Sequence, residues 1–330
     1  GRPVLQKGRE FHLTPVPTLV FAILGNQSSM DPTVSVIIPT YNRWPMVRTA
    51  VGSVLAQRYR DFELIVVDDG STDGTSMELV RFGSQLRYVR QGRGGVSAAR
   101  NSGVRHSRGR LIAFLDSDDL WHPDKLKIQA GYMEHSPEVQ ICQTEELWIR
   151  NGVRVNQKTK HCKPSGDIFD RSLDLCLVSP SAVMMTRALF DRSGGFDESL
   201  PVCEDYDLWL RIARDNPVPL IEQPLVVKHG GHADQLSRSM WGMDRYRVIA
   251  LQKLLRSGIA GQRRAAVLTV LQNKVAVLAR GARKRGKAAE AESYLAMLGE
   301  FAGEMGNVRE RVPQFRGEQG LSCADAQPLA

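Results

Sequence analysis

One stretch of the chain, residues 110–119 (RLIAFLDSDD), constrains the fold most strongly. Its apolar half has no helical periodicity and ends abruptly in acidic residues, which is typical of a strand buried on both faces. Side chains alternate along a strand, so Asp116 and Asp118 are predicted to leave its end on one side and Ser117 on the other. We therefore expect an α/β fold built around this strand.

The two acids Asp116 and Asp118 need something to balance their charge. Neighbouring carboxylates repel, and the pKa of each is raised unless a cation lies between them. Hard oxygen ligands of this kind suit Mg²⁺ or Mn²⁺, and such an ion in turn neutralises a diphosphate. The alternative is a solvated acidic turn before the helix that is predicted to begin near Pro123.

Strand and helix patterns alternate between residues 34 and 116. Apolar runs at 34–38, 62–67 and 86–89 are predicted strands, and helical patterns separate each run from the next. This alternation predicts a doubly wound parallel sheet with helices on both faces. Ligands of such sheets bind in the crevice beyond the carboxyl ends of the strands.

Polar residues gather at the ends of three of these strands. In chain order they are Pro39, Thr40, Tyr41 and Asn42, then Asp68 and Asp69, then Asp116, Ser117 and Asp118. Because the carboxyl ends of parallel strands meet at one edge of a sheet, the three clusters are predicted to converge on one crevice. Convergence of acids and hydroxyls indicates a ligand site more strongly than any one cluster does.

A glycine-rich segment, residues 92–95 (GRGG), precedes the third predicted helix. It does not complete a dinucleotide-binding fingerprint, and the chain contains no P-loop motif. We interpret these glycines as a tight entry into the helix that carries Arg100. Arg100 is then either a cation on the helix surface or a contact to a diphosphate.

The helix predicted from about residue 204 to residue 214 contains a candidate general base, Asp205. This acid lies in the first turn, where the helix dipole favours its ionised form. It shares an apolar helix face with Leu208, Trp209 and Ile212. By contrast, Asp207, Arg211 and Asp215 follow one another at a spacing of four and are expected to form a solvated ladder of charges.

Antiparallel pairing is expected in the second half, because Asn151 and Gly152 form a strong hairpin signal. A later strand, at about 219–228, leads to His229 and His232. These two histidines either complete a metal shell or contact phosphate, or they are simply exposed.

Composition narrows the classes of protein further. The longest apolar runs, such as 19–24, are far too short to span a bilayer, so we expect no membrane anchor in this sequence. The chain has five cysteines and no C-x-x-C pair, which argues against a disulfide framework and a zinc site and fits a reducing cytoplasm. A net charge of +8 indicates an anionic partner, such as a nucleotide, a phospholipid surface or a nucleic acid.

The 330 residues are divided into four segments. Residues 1–31 are predicted to be a disordered or peripheral leader, with Met30 as a candidate start. Residues 32–242 hold the motifs, residues 243–316 form a basic helical extension, and residues 317–330 form a disordered tail. The extension is either a solvated helical hairpin or a surface that contacts an anionic membrane or a partner.

The motifs of residues 34–239 together resemble those of family-2 glycosyltransferases with the GT-A fold. The resemblance implies a Rossmann-like, mostly parallel sheet flanked by helices, with the C-terminal helical extension outside the motif-bearing core. The segments that carry it, in the order of the family, are VSVIIPTYN (34–42), VDDGSTD (67–73), ARNSG (99–103), LDSDD (115–119), GGFDE (194–198) and Glu204-Asp205.

This resemblance implies an inverting transfer of a sugar from a nucleotide-diphosphate sugar, with UDP as the expected nucleotide. Thr40, Tyr41 and Asp69, with Asp68 close by, would hold the nucleobase and ribose. Asp116 would contact the ribose.

On the reacting side, the resemblance implies that Asp118 would bind Mn²⁺ or Mg²⁺ and that Asp205 would deprotonate the acceptor hydroxyl. The metal and Arg100 would stabilise the departing diphosphate. Processive members of the family carry Q-x-x-R-W and membrane-spanning helices, whereas residues 235–239 here read QLSRS. We therefore expect addition of a single sugar.

Three functions from different classes are weighed on these observations. The leading one is a metal-dependent, cytoplasmic glycosyltransferase, peripheral to the inner face of the membrane, that builds a surface glycan on a saccharide or lipid-linked acceptor. The second is a catalytically silent nucleotide-sugar binding module that acts through its basic helices. Nucleic-acid binding is not expected, because the basic segment lacks interleaved aromatic residues and any known motif.

Overall fold

The computed structural model of the protein describes residues 31–231 and 242–305. Residues 1–30 of the predicted leader, which include Met30, lie outside the described residues. The predicted tail and His232 also lie outside them. The strands are β1 (Val34–Thr40), β2 (Phe62–Asp68), β3 (Arg87–Arg90), β4 (Leu111–Phe114), β5 (Leu120–Trp121), β6 (Ile141–Arg150), β7 (Val153–Val155), β8 (Val183–Thr186) and β9 (Leu220–Gly230).

These strands form one mixed sheet with the order β3-β2-β1-β4-β8-β6-β9-β5, and β7 pairs with β6. Strands β1 to β4 pair in parallel, as the alternating pattern predicts. Strand β8 then inserts between β4 and β6 and is antiparallel to both. The hairpin predicted at Asn151 and Gly152 is confirmed by the antiparallel β6–β7 pair.

Helices cover both faces of the sheet. They are α1 (Met46–Leu55), α2 (Thr75–Val80), α3 (Gly95–Arg105), α4 (Lys125–His135), α5 (Phe169–Asp174), α6 (Arg187–Arg192), α7 (Glu204–Ala213), α8 (Asp244–Arg256), α9 (Gly261–Lys284), α10 (Ala288–Ala296) and α11 (Ala302–Met305). Among the described residues, no helix is both long and apolar enough to cross a membrane.

The two faces of β1 enter two separate hydrophobic clusters. Ile37 packs with residues of α3, α5, α6 and α7, whereas Val36 and Ile38 pack with residues of α1 and α4. Burial on both faces explains why β1 is a continuous apolar run. The helices from α8 to α10 contribute to the same cluster as α7, so they extend the core that supports the predicted general base.

A glycine in α3 allows the helix to lie close to the centre of the sheet. A Cβ atom on Gly103 would lie 2.3 Å from Cγ2 of Ile37, a separation that no real packing allows. Any larger residue at position 103 would therefore push α3 away from β1. This close approach fixes the position of Arg100, which lies less than one turn earlier on the same helix.

Lys125 is an unusual member of the core on the α4 side. Its side chain is fully buried, with Nζ 2.5 Å from Oε1 of Gln129 and 4.0 Å from the ring centroid of Trp121. Among the described residues, no carboxylate lies within 4 Å of this ammonium group. Burial lowers the pKa of Lys125 to about 7.

Candidate active site

The strand ends converge on one edge of the sheet, as predicted. Thr40 is in register with Asp68 across the β1–β2 pair, and the N–H of Leu115 donates to the carbonyl of Ile37 across β1–β4. The acids that follow β4 therefore leave the sheet beside the ends of β1 and β2. The three clusters line one crevice at this edge of the sheet.

Asp68 is fully buried and holds the turn after β2. Its Oδ1 accepts a hydrogen bond from the N–H of Ser71 at 2.8 Å, and its Oδ2 accepts from the hydroxyl of Tyr88 at 2.8 Å. Burial and the carboxylate of Asp68 raise the pKa of Tyr88 to about 12. These contacts make Asp68 a support for the crevice wall.

Asp69 binds the start of α3. Its two oxygens accept hydrogen bonds from the N–H groups of Gly94 and Gly95, each at 2.8 Å, and Oδ1 also accepts from Nε2 of Gln91. A carboxylate at a helix N-terminus is favoured by the helix dipole. The glycines at 92–95 are thus a tight helix entry, as we interpreted them from the sequence.

An aromatic ring and an unpartnered hydroxyl also face this edge of the sheet. The guanidinium of Arg93 lies 3.2 Å from the ring centroid of Tyr41, in the geometry of a cation–π contact. Thr40 is buried, and its Oγ1 has no hydrogen-bond partner among the described residues. A buried hydroxyl without a partner is costly, which fits a position completed by a ligand.

Asn42 and Pro39 shape the end of β1. Asn42 adopts a left-handed backbone conformation with φ of 48°, and its Oδ1 accepts from the N–H of Thr72 at 2.7 Å. This bond ties the loop after β1 to the loop after β2. Pro39 is buried in register with Val67, so it belongs to the strand and not to the open part of the crevice.

Arg100 connects the two halves of the crevice. Its Nη2 lies 2.7 Å from Oδ1 of Asp116, and its Nη1 lies 2.7 Å from Oε1 of Glu204. Only 4% of the arginine side chain is exposed, so the surface-cation interpretation is wrong. The helix start with Glu204 and Asp205 is thereby fixed beside the acids that follow β4.

The charges around Arg100 shift the pKa values of its partners in opposite directions. Burial raises the pKa of Asp116, but the guanidinium of Arg100 outweighs it and the net shift is downward. For Glu204, burial and the nearby charge of Asp205 outweigh Arg100 and raise the pKa to about 7. Near neutral pH, Glu204 therefore exchanges a proton while Asp116 stays ionised.

Two further acids follow Asp116. Asp118 lies 2.9 Å from Nη1 of Arg43, which also contacts Oγ of Ser117 at 3.4 Å. Asp119 is buried and accepts hydrogen bonds from Oγ of Ser181 at 2.7 Å and from the backbone N–H of His229 at 3.0 Å. Burial and the charges of Asp118 and Asp116 hold its pKa well above the usual range.

The donor chemistry of this acidic loop fits a divalent cation. Asp116 and Asp118 supply hard carboxylate oxygens, and the mutual repulsion that raises the pKa of Asp119 is what a bound cation relieves. Within residues 31–231 and 242–305, no three His, Cys, Asp or Glu side chains form a complete metal shell. Other ligands, such as diphosphate oxygens, would have to complete it.

Asp205 lies at the start of α7, beside the Arg100 bridge. Its Oδ1 accepts from the N–H of Tyr206 at 2.7 Å, and its Oδ2 lies 3.4 Å from the thiol sulfur of Cys176. Burial and the charge of Asp205 raise the pKa of Cys176, so the thiol is a hydrogen-bond donor here. Cys203, the residue before α7, has φ of 62°, a strained conformation of the type found at functional sites.

The sequence of this chain is similar to those of known glycosyltransferases. Residues 35–193 match the profile described as Glycosyl transferase family 2. The UDP-Glc:alpha-D-GlcNAc-diphosphoundecaprenol beta-1,3-glucosyltransferase WfgD of Escherichia coli is 32% identical over 193 residues, which is 58% of this chain and 74% of that protein. The chain belongs to glycosyltransferase family 2.

Two further proteins are similar to this chain in sequence or in fold. An uncharacterized glycosyltransferase of Rickettsia felis is 34% identical over 210 residues, which is 61% of this chain but 34% of that protein. The chain thus spans about a third of that relative. Among solved structures, S. aureus TarS in complex with UDP-GlcNAc has a TM-score of 0.66 at 21% identity and covers 82% of this chain and 80% of its own. This likeness shows the GT-A fold.

One prediction about α7 of this glycosyltransferase is wrong. Asp207 is buried, and its side chain pairs with Nη2 of Arg211 at 2.6 Å and with Nζ of Lys253 at 2.8 Å. It therefore does not belong to a solvated ladder, and Asp215 pairs with Arg214 instead. The error arose because α8, which carries Lys253, covers a face of α7 that the local pattern predicts to be open.

Two residues with contacts at the crevice were missed in the sequence. Lys228 of β9 donates from Nζ to Oγ of Ser179 at 3.1 Å, and its pKa is raised because nearby carboxylates outweigh burial. Those carboxylates are Glu146, Asp119, Asp116 and Asp205. The other is Glu204, whose contact with Arg100 joins residues 104 positions apart. No local sequence pattern reports either contact.

Proposed function

We propose that this enzyme transfers one sugar, with inversion, from a UDP-sugar to a hydroxyl of a saccharide or lipid-linked acceptor. The observation that carries the proposal is the Arg100 bridge, which holds Asp116 on the donor side and Glu204, next to Asp205, on the acceptor side. One buried cation thus joins the donor-binding acid to the residue that precedes the general base. A single displacement at a sugar carbon requires the donor and the base to be held in fixed positions.

In the proposed reaction, the carboxylate of Asp205 accepts the proton of the acceptor hydroxyl. The freed oxygen forms a bond to the anomeric carbon from the face opposite the diphosphate, while the bond between that carbon and the diphosphate oxygen breaks. The leaving UDP takes the electron pair of that bond. The thiol of Cys176 and the N–H of Tyr206 hold the base in position.

On the donor side, Tyr41, Thr40 and Asp69 would hold the nucleobase and ribose, supported by Asp68. The unpartnered hydroxyl of Thr40 favours a polar ligand there. Asp116 would contact the ribose. Asp118, with Asp116, would hold Mn²⁺ or Mg²⁺, which when bound supplies positive charge for the diphosphate.

The backbone N–H of His229 donates to Oδ1 of Asp119 at 3.0 Å, which puts this residue beside the acidic loop, and its part in the metal shell stays a prediction. Two of the chain's own cations, Arg100 and Lys228, interact with acids of the crevice. We assign them the role of stabilising the charge that develops on the leaving diphosphate.

Surface glycan synthesis is the biological setting we propose, since the similar E. coli enzyme is named for a lipid-diphosphate acceptor. A place in the cytoplasm at the inner face of the membrane is part of the same proposal. The net charge of the C-terminal helices supports this proposal only weakly, because most of their cations pair with carboxylates of the same chain. Examples are Arg263–Asp167, Arg264–Glu304, Lys274–Asp244 and Arg283–Glu292.

A thermal-shift screen of nucleotide diphosphates and nucleotide sugars, with and without Mn²⁺, tests the proposal. A ligand that binds only the folded state raises the melting temperature. At 100 times its Kd, the ligand adds about 2.7 kcal/mol to the free energy of unfolding. We expect a shift with UDP-sugars that needs Mn²⁺, that is lost in Asp118→Ala and that is retained in the control Asp191→Ala. No shift with any nucleotide would contradict the proposal, and a shift without sugar transfer would favour the silent binding module.

A further inference from the structure

One face of the β6–β9 pair leads outward from the active site. Trp148 is in register with Lys228, and Arg150 is in register with Gly230, two positions further out. Residues in register on adjacent strands share a face of the sheet, so Trp148, Arg150 and Lys228 point to the same side. At a rise of about 3.3 Å per residue, Arg150 lies about 7 Å beyond the level of Lys228.

The segment before α5 contacts this face through His161 and Lys163. The ring of His161 lies 5.4 Å from that of Trp148, and Nζ of Lys163 lies 3.1 Å from Oε1 of buried Glu146. Glu146 also accepts from Nε1 of Trp148 at 3.0 Å. The aromatic pair is thus held in place next to the active site by a buried ion pair.

Three cations surround this aromatic pair. Arg150, Lys158 and Lys160 are exposed, and across the described part of the chain none of them has a carboxylate within 4 Å. Burial lowers the pKa of His161, and the charges of Lys160, Lys158 and Arg150 lower it further, so each of the three cations acts on this ring. Most cations of the C-terminal helices pair with carboxylates, whereas Arg150, Lys158 and Lys160 leave positive charge unbalanced on this face.

We propose that the face formed by Trp148, Arg150, Lys158, Lys160 and His161 binds the phosphate-bearing end of a diphosphate-linked saccharide acceptor. This inference rests on the proposed function, because it takes the acceptor to be the second substrate of the same site. Cations with free N–H donors bind phosphate oxygens through charge-assisted hydrogen bonds. An aromatic face beside them suits the apolar face of a sugar ring.

The charges along this face favour such an acceptor over a neutral one. Next to the active site, the positive charge of Lys228 is balanced by Glu146 and the acids of the crevice. Two residues further out, the charges of Arg150, Lys158 and Lys160 have no such balance. A saccharide with its hydroxyl at Asp205 and its diphosphate directed outward would place the sugar in the balanced region near Lys228. Its diphosphate would then lie in the unbalanced, positively charged region.

Steady-state kinetics of the full chain with two acceptors test the assignment. One acceptor is N-acetylglucosamine joined through diphosphate to a short alkyl chain, and the other is the uncharged alkyl glycoside of the same sugar. The test variant is Arg150→Gln/Lys158→Gln/Lys160→Gln. The control, Lys127→Gln/Arg154→Gln/Lys284→Gln, removes the same charge elsewhere; Arg154 lies on the opposite face of the β6–β7 hairpin.

We expect KM for the diphosphate acceptor to rise about tenfold in the test variant, with kcat unchanged. KM for the uncharged glycoside and for the donor should stay within twofold in both variants. Because exposed charges are screened by salt, KM for the diphosphate acceptor should also rise with salt in the wild type and less so in the test variant. An unchanged KM for the diphosphate acceptor in the test variant would overturn the assignment.

Direct binding separates failure of this inference from failure of the proposed function. The diphosphate acceptor is titrated by calorimetry without donor. One possible result is that the enzyme transfers no sugar, yet acceptor binding weakens about tenfold in the test variant. That result would refute the proposed function and support the docking face. Unweakened binding would refute the docking face. If the test variant instead lost only its binding to phosphatidylglycerol vesicles, the face would be a membrane contact and the proposal would be wrong.

Discussion

Replacing Arg100 with methionine tests the bridge that holds the active site together. Methionine keeps much of the apolar stem of arginine but has no donor for Glu204 or Asp116. Removing one partner of a buried ion pair costs about 3–5 kcal/mol, because the remaining charge stays buried. Glu204 is 6% exposed and Asp116 is 26% exposed, so water can reach the second acid but not the first. We therefore expect a loss of about 3 kcal/mol in the free energy of unfolding.

The size of this loss is expected to depend on pH. In the wild type, burial and Asp205 raise the pKa of Glu204 to about 7, while Arg100 opposes them; removing Arg100 raises it further. A carboxyl group whose pKa is higher in the folded state destabilises that state as pH rises from its unfolded value, about 4.3, to its folded value. The difference between variant and wild type should therefore be larger at pH 8 than at pH 5.

Urea unfolding followed by tryptophan fluorescence, at both pH values, measures the effect. Arg154→Met is the control, because Arg154 is exposed and has no carboxylate within 4 Å among the described residues. We expect the control to stay within about 0.5 kcal/mol of the wild type, as surface substitutions do. A loss below about 1 kcal/mol at pH 8, or an equal loss at pH 5 and pH 8, would refute the account of the bridge.

Three further predictions concern the core and the base. Lys125→Met should raise the free energy of unfolding about 3 kcal/mol more at pH 7 than at pH 9.5, as measured by denaturant unfolding. The reason is that the pKa of Lys125 is about 7 in the folded state and about 10.4 in the unfolded state. An equal gain at both pH values would contradict this. Gly103→Ala should cost about 1–3 kcal/mol by overpacking against Ile37, also measured by unfolding. Cys176→Ala should lower kcat about tenfold, because Asp205 loses a hydrogen bond that holds its carboxylate in position, whereas Cys176→Ser should restore it.

The first half of the fold follows closely from local sequence. Apolar runs that end in polar clusters predict β1, β2 and β4 and their shared edge, because each strand is buried on both faces and is separated from the next by a helix. The positions of Asp116 and Asp205 could be predicted for the same reason. Each lies at the end of an element whose pattern is visible within about ten residues.

The contacts that join these elements could not be predicted in the same way. Whether Arg100 is buried depends on Glu204, and whether Asp207 is buried depends on Lys253. In each case the deciding partner lies far away in the chain. The insertion of β8 between β4 and β6 also has no local signal, since it depends on which strand edge remains open once the parallel sheet has formed.

The role of Asp205 is the central claim, and Asp205→Asn tests it most directly. Transfer of sugar from a UDP-sugar to the diphosphate-linked acceptor is measured for this variant and for the exposed control Asp191→Asn. The account predicts that kcat falls about 1000-fold in Asp205→Asn, within the range that general base catalysis contributes, with donor binding retained and the control unaffected. A kcat within tenfold of the wild type would show that another group accepts the proton and would contradict the account.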